Sequence, residues 1–388
     1  MSLVTMVESL VPALGVAGAR EKIKNQLLEG MKADEGSDAW RRFSIRELWD
    51  AFVGRVPVAG HHLVEAEHVS SSFSVIAGNV IAKAIVTGFE SEQRFIGDRL
   101  ITKSKSTTPV DTYAGVQSVE DPDALTEGET IPFKQFEGEK SLQPPEPLKR
   151  GLRIGLSREM VLFDRTNALL AQASDIGKVL RRQREKQIIN TLADAAGYTR
   201  YYPKTTGGYA QTAVYRAAAG SEWYNRHITA LTGNALGGTG SIQTAMSNLA
   251  TRTDESGNTF GFVPKVIVVP FALAQSAWET IRATQYVKGT TAAENRLQGP
   301  NATVLNAVIG GIPDVLVSPL LDAISTTQWY IGDPQACLVE QIHWPISVFK
   351  AADSHPDNFD RDIIVQWKAT RKADINWIRD DFILRSAA

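Results

Sequence analysis

Apolar residues recur at spacings of three and four over three stretches of the chain, the mark of helices with one buried face. The first covers 44–56, with Ile45, Leu48, Trp49, Phe52 and Val56 on one stripe. The second carries Phe73, Ile76, Val80, Ile81, Ala84, Ile85 and Phe89, with Asn79 and Lys83 on the opposite side. In the third, Leu169, Ala173, Ile176, Leu180, Ile188 and Leu192 share a stripe. The third predicts a helix of about 30 residues, a rod roughly 45 Å long. Ser157 is expected to cap a short first turn, Asp164 to start the long helix and Gly197 to end it.

The pattern changes to extended chain elsewhere. Between 103 and 153 the texture is Thr, Gly, Pro and alternating charge, with a Pro144, Pro145, Pro147 cluster. That predicts a two-stranded arm with its prolines at edges or turns, stable only where a neighbour covers it. Residues 198–240 read as loops with at most one short helix. A helix capped at Ser241 then runs through Ile242, Ala245, Met246 and Leu249 into the buried-strand run "PKVIVVP", and "FALAQSAWETIRA" returns to helix. Short strands follow at "DVLVSP", "QWYIGD" and "ACLVEQIHW". The last segment alternates: Ile363, Val365, Trp367, Ala369, Ala373, Ile375 and Trp377 share one side, with Arg371 out of step. No tandem repeat of solenoid or propeller length is present.

At 388 residues the chain is long enough for two or three domain-sized units. A net charge of -2 offers no global field for nucleic acid, so any such contact is local. Cys337 is the single cysteine, which excludes an intrachain disulfide and reads as a small buried hydrophobe. The apolar run 3–19 is interrupted by Glu8 and has no basic residue ahead of it, so it lacks the charged start of a signal peptide. No membrane helix is expected.

No enzyme motif is complete in the sequence. "LTGNALGGTGSIQTAM", at 231–246, places Gly233 and Gly238 at the phosphate-loop spacing, but Thr239 and Gly240 stand where the lysine and hydroxyl belong. Its glycines are expected to supply a flexible connector. "HHLVEAEH" and "EQIH" repeat the ExxH spacing of di-iron bundles through Glu65, His68, Glu340 and His343, yet the second lies in a strand that turns its pair to opposite faces. There is no nucleophile elbow. Lys178, Arg181, Arg182, Arg184 and Lys186 form a basic run offset by Glu185. It reads as a solvated helix face, with contact to DNA or an acidic neighbouring subunit through Arg181, Arg182 and Arg184 as the functional alternative.

Two adhesive helices, a charged arm, "GLSREMVLFD" leading into a long helix, a small α/β unit and a long last strand together resemble a tailed-bacteriophage major capsid protein of the Mu-like, protease-fused type. The resemblance covers 70–388 and is most specific at 125–192, where "LTEGETIPFKQFEGEK", the return strand "LKRGLRIGLSREMV" and the spine helix follow one another. "SSSFSVIAGNVIAKAI" is similar to the segment just upstream, and "VPKVIVVPFALAQSA" and "DVLVSPLLDAISTTQWYIGD" to pieces of the family's axial domain.

What the resemblance implies is an α+β, HK97-like capsid fold. Its parts would be an N-terminal arm (1–72), a helix opening the peripheral domain (73–116), an extended loop (117–155), the peripheral domain with its spine helix (156–228), an axial domain (229–345) and C-terminal peripheral strands (346–388). It implies self-assembly of hexamers and pentamers into an icosahedral shell around double-stranded DNA, with no enzymatic activity and no cofactor. Expected partners are further copies of the chain, a portal protein at one vertex, decoration or scaffolding proteins and the packaged DNA, with no membrane. The expected location is the virion, after assembly in the host cytoplasm. Expected subunit contacts are Trp49, Phe52, Glu127, Lys134, Phe136 and Lys140. Association is expected to be non-covalent, and with Met1 in place no cleaved scaffolding segment is expected. An encapsulin-like nanocompartment and a nucleotide-binding enzyme are the alternative readings.

Overall fold

The computed structural model describes residues 3–33, 48, 66–91, 95–115, 124–127, 130–131, 140–157, 160, 168–195, 198, 201–237, 239–254, 256–282, 285–286, 304–305, 314–351 and 363–387. In chain order the elements begin with α1 (Leu3–Ala33), α2 (Ala66–Glu90), β1 (Thr102–Lys105), β2 (Tyr113–Gly115), β3 (Lys140–Leu142), β4 (Lys149–Ser157) and α3 (Ala168–Leu192). They continue with β5 (Lys204–Thr205), β6 (Gly208–Tyr209), β7 (Ala230–Leu231), α4 (Thr239–Ala250), β8 (Val266–Pro270), α5 (Ala274–Arg282), β9 (Gln285–Tyr286) and β10 (Val304–Leu305). Last come β11 (Asp314–Ser318), β12 (Trp329–Gly332), β13 (Leu338–Lys350), β14 (Ile363–Trp377) and β15 (Ile383–Ser386). The architecture is α+β, as expected. It divides into two units, one of 1–93, 149–183 and 344–372, the other of 94–148, 184–343 and 373–388.

In the first unit, helices pack on a sheet in which β14 lies between β13 and an antiparallel β4. Val80, Ile81, Ala84 and Ile85 of α2 meet Leu170 and Ala173 of α3, and Leu156, Trp367 and Ala369 close the core from the sheet side. Two glycines set the approach of α2 to α3. A Cβ on Gly88 would stand 2.1 Å from Ser174 O, and one on Gly177 2.1 Å from Ile85 O, so the two backbones touch where neither residue has a side chain. α1 is a helix through Pro12, which the apolar run at 3–19 did not announce because it lacks a clean period. Of the stripe expected at 44–56 only Leu48 is described, and it is buried; Trp49 and Phe52 lie outside the described residues.

The second unit is built on a five-stranded mixed sheet in the order β11-β8-β12-β15-β7. Both faces are covered, which is why "PKVIVVP" reads as continuous apolar chain. Val268 points to a core with Leu316, Tyr330 and Trp377, while Ile267 and Val269 point to one with α4 and α5. β1 pairs in parallel with β13 as far as Lys105 opposite Ile342, so Pro345 falls beyond that ladder, where a missing N–H is tolerated.

The helix ends correct the expected caps. Ser157 does cap its turn, its Oγ accepting from Met160 N–H at 3.3 Å. The long helix stops at Leu192, ahead of Gly197: Ala195 N–H reaches Asn190 O at 3.0 Å and Asp194 N–H reaches Thr191 O at 3.1 Å, with Asp194 at φ 53. That is the 6→1 and 5→2 bonding of a left-handed helix stop, filled by an aspartate whose short polar side chain tolerates it. α4 begins at Thr239, so Ser241 is inside its first turn and is not its cap. The region 198–240 holds the β5–β6 pair and β7 and, among the described residues ahead of Thr239, no helix.

The glycine-rich loop is clamped, a correction to the flexible connector. Asn234 N–H donates to Ala387 O at 2.8 Å and its Nδ2 to Ser241 O at 3.1 Å, while Trp329 Nε1 donates to Asn234 O at 3.0 Å. Gly233, at φ +71, turns the chain into this clamp.

Candidate assembly surfaces

The arm has a fixed root. β2 and β3 form an antiparallel ladder pairing Tyr113 with Leu142, Ala114 with Ser141 and Gly115 with Lys140. Leu142 is buried in the core, Gln143 N–H donates to Tyr202 O at 3.1 Å, and Ser141 Oγ lies 3.0 Å from Tyr209 Oη. Just ahead of β2, Asp111 accepts from Thr108 Oγ1, from Ser106 Oγ at 2.7 Å and from Gln341 Nε2 at 2.7 Å. Burial alone would raise the Asp111 pKa, but these hydrogen bonds outweigh it and hold the carboxyl below its usual range. Lys140 stands half-buried at the root, while Glu127, Leu125 and Ile131 beyond it are exposed, Ile131 by 78%. Lys134 and Phe136 lie outside the described residues.

The basic run on α3 separates into different roles. Lys178 pairs with Asp175 one turn earlier at 2.9 Å, Arg181 is half-buried over the Phe89 ring at 5.6 Å, and Arg182 is exposed. Arg184 is 3% exposed, and its guanidinium donates to Glu340 at 2.9 and 2.7 Å and to Asp98 at 2.9 Å. Burial lowers its pKa, but the Glu340 and Asp98 carboxylates overcome that and keep it firmly charged. Arg184 is thereby committed inside the chain, a correction to its expected role on DNA or an acidic neighbour. Next to it, buried Glu185 accepts from Ile96 N–H at 3.1 Å and Gly97 N–H at 2.9 Å. The signal was available: 184 and 185 lie one turn before Ile188 and Ile189, on the buried stripe, where a charge must carry its own partner. Glu340, the acidic half of the second ExxH pair, is occupied by this ion pair. Glu65 lies outside the described residues, and of the His68 side chain nothing is described.

A cleft of about 490 Å³ opens beside the arm root, lined by Tyr113, Lys140, Trp223, His227, Phe260 and Asp380 among others. Asp380 is fully enclosed and bonded to Arg216. Burial pushes its carboxyl up to about 6 in spite of the Arg216 charge, and burial pushes His227 down. Among the described residues no group of three or more His, Cys, Asp or Glu could hold a metal, and no helix is long and apolar enough to cross a membrane.

The sheet of the first unit has one face packed on the helices, and its other face carries charged and aromatic side chains around the buried Gln366. Trp367 and Ala369 point to the core, so Lys368 and Lys372 point away, and the register sets them opposite Arg153 and Lys149. Over the same face stand Trp344 and Phe349, 36% and 51% exposed: Lys372 Nζ lies 5.7 Å and Lys149 Nζ 6.0 Å from the Trp344 ring centre, and Lys368 Nζ 5.6 Å from that of Phe349.

A sequence-family model described as phage capsid protein matches residues 143–384, from just after β3 into β15. The chain belongs to this phage capsid protein family. Solved structures similar to this capsid protein include the capsid of the native GTA particle (9% identity, 76% of this chain and 89% of that one, TM-score 0.48) and a structure from Mycobacterium phage Che8 (14%, 75% and 90%, 0.43). The virus-like particle from Pyrococcus furiosus is similar at 10% identity, over 79% of this chain and 97% of that one, with a TM-score of 0.39. At these scores the likeness adds no weight of its own, and the capsid protein's membership rests on the family match. No curated protein matches it.

Proposed function

We propose that this capsid protein is the major head subunit of a tailed bacteriophage or prophage, assembling as hexamers and pentamers into an HK97-like icosahedral shell around double-stranded DNA. It acts through assembly, without catalysis or cofactor, in the virion after assembly in the host cytoplasm. A portal protein at one vertex and decoration or scaffolding proteins are its further partners. The observation that carries the reading is the arm: its root is anchored by Leu142 and the Asp111 network, while Leu125 and Ile131 beyond the root expose apolar surface of the kind a neighbouring copy buries. Trp49, Phe52, Glu127, Lys134, Phe136 and Lys140 are proposed subunit contacts, and Arg181 and Arg182 proposed contacts to DNA or an acidic neighbour.

Deletion of 118–137, which spares the buried residues of β3, tests it. The shortened chain should stay folded and form capsomers that fail to close shells by sedimentation. Closed shells from that chain would contradict the arm's role.

A further inference from the structure

Four buried side-chain atoms on one face of the β13–β14 pair have no hydrogen-bond partner: Gln341 Oε1, His343 Nε2, and both Oδ1 and Nδ2 of Asn376. Alternation sets that face. Ile378 N–H donates to Cys337 O and Ala351 N–H to Gln366 O, each at 2.8 Å, so β14 runs antiparallel beside β13. Leu338, Glu340, Ile375 and Trp377 turn toward α3. Leu338 and Ile375 share a core with Ile188 and Leu192, Glu340 holds Arg184, and Trp377 Nε1 donates to Thr191 O at 3.0 Å. Gln341, His343 and Asn376 therefore turn the other way, to the side of the arm root, where Gln341 Nε2 donates to Asp111 at 2.7 Å.

Asn376 and Gln341 are both 0% exposed, so a second copy of the chain cannot reach them. Reorienting the amides does not help. Both polar atoms of Asn376 are orphaned, so exchanging them changes nothing, and the Asp111 carboxylate, which only accepts, fixes the Gln341 nitrogen toward itself. A buried amide left wholly unpaired opposes folding. Whatever answers it must be small, enclosed and able both to donate and to accept, because Asn376 offers a spare donor and a spare acceptor on one side chain. A metal ion answers oxygens alone, and among the described residues no group of three or more His, Cys, Asp or Glu gathers to hold one. Water does both.

We infer that the face of β13 and β14 on the side of the arm root is an internal water-binding site, in which ordered water held by Asn376 bridges to Gln341 and His343. Gln341 then joins two things, the arm root through Asp111 and the bound water through Oε1. The water is part of the arm's anchorage, and Asn376 becomes a support of the arm root from a strand near the other end of the sequence.

Two substitutions at one position separate a wet site from a dry one. Asn376→Leu keeps the size and removes both polar atoms; Asn376→Ser keeps a donor and an acceptor and leaves room for a further water. In a wet site the leucine displaces bound water and leaves Gln341 and His343 without it. The full chain should then melt about 2 °C or more below the native chain, with the serine variant between the two. In a dry site the order reverses: the leucine ends the unpaired amide and melts at or above native, while the serine adds a cavity. That order would overturn the inference. A density map fine enough to show water, from crystals of the chain or from assembled particles, reads the site directly. A peak roughly 2.7–3.2 Å from the Asn376 amide is expected. No peak there, or one roughly 2.3–2.6 Å from oxygens only, the spacing of a bound cation, would overturn it as well. Should Asn376→Leu fail to fold, the serine variant and the map still decide.

Discussion

Arg184 and Glu340 form a two-bonded ion pair, at 2.9 and 2.7 Å, with 3% and 1% of their side chains exposed. Removing Glu340 leaves buried Arg184 charged, with only the partly exposed Asp98 still bonded to it at 2.9 Å. Glu340→Leu is expected to cost about 3–5 kcal/mol, and adding Arg184→Met should restore most of it, because the pair as a whole contributes far less than its broken half costs. Denaturant unfolding of the two variants checks this; a single change costing under about 1 kcal/mol would contradict it.

Gly177 sits against Ile85 O and Gly88 against Ser174 O, each at 2.1 Å from where a Cβ would be. Either glycine changed to alanine should force α2 and α3 apart and destabilise the chain by about 1–3 kcal/mol. Gly237→Ala serves as the control, since a Cβ there meets nothing within 4 Å. Equal melting temperatures for Gly177→Ala and the control would refute the close approach.

Asp380 makes stability depend on pH. Its carboxyl titrates near 6 in the folded chain against 3.8 ordinarily, raised by burial, with Asp381 adding to the rise and Arg216 and Arg252 opposing it. The folded chain therefore holds this proton more tightly than the unfolded chain. The contribution is complete below the ordinary value and is lost as pH climbs through about 6, a change on the order of 3 kcal/mol. Asp380→Asn removes the titration, so the stability of the variant relative to the native chain should rise between about pH 4 and 7. A difference that stays flat across that range would show that Asp380 is not raised.

Much of this fold is visible in the sequence where one period rules. Trp367, Ala369, Ala373, Ile375 and Trp377 are buried as their alternation requires, and Ala173, Ile188 and Leu192 follow the long stripe. What was hidden depends on partners remote in sequence. Arg184 looks like part of a solvated run until Glu340, 156 residues away, is set beside it. Asn234 looks like a loop residue until Trp329 and Ala387 meet it. Gln366, Asp374 and Asn376 alternate with the apolar side of β14 and are buried as well, because that strand is covered on both faces there, which alternation alone cannot express. The opposition of Lys149 to Lys372 appears only once the strand register is known.

Cys337 is fully buried, and burial pushes its thiol well above the usual range. A thiol-reactive dye should leave the native chain unlabelled and react at one site after unfolding. Rapid labelling of the native chain would contradict the packing around β13.

Electron microscopy of the purified chain tests the central claim most directly. Closed icosahedral shells built of hexamers and pentamers are the expected result. Monomers that never assemble, whatever the salt, concentration or scaffolding partner supplied, would contradict it.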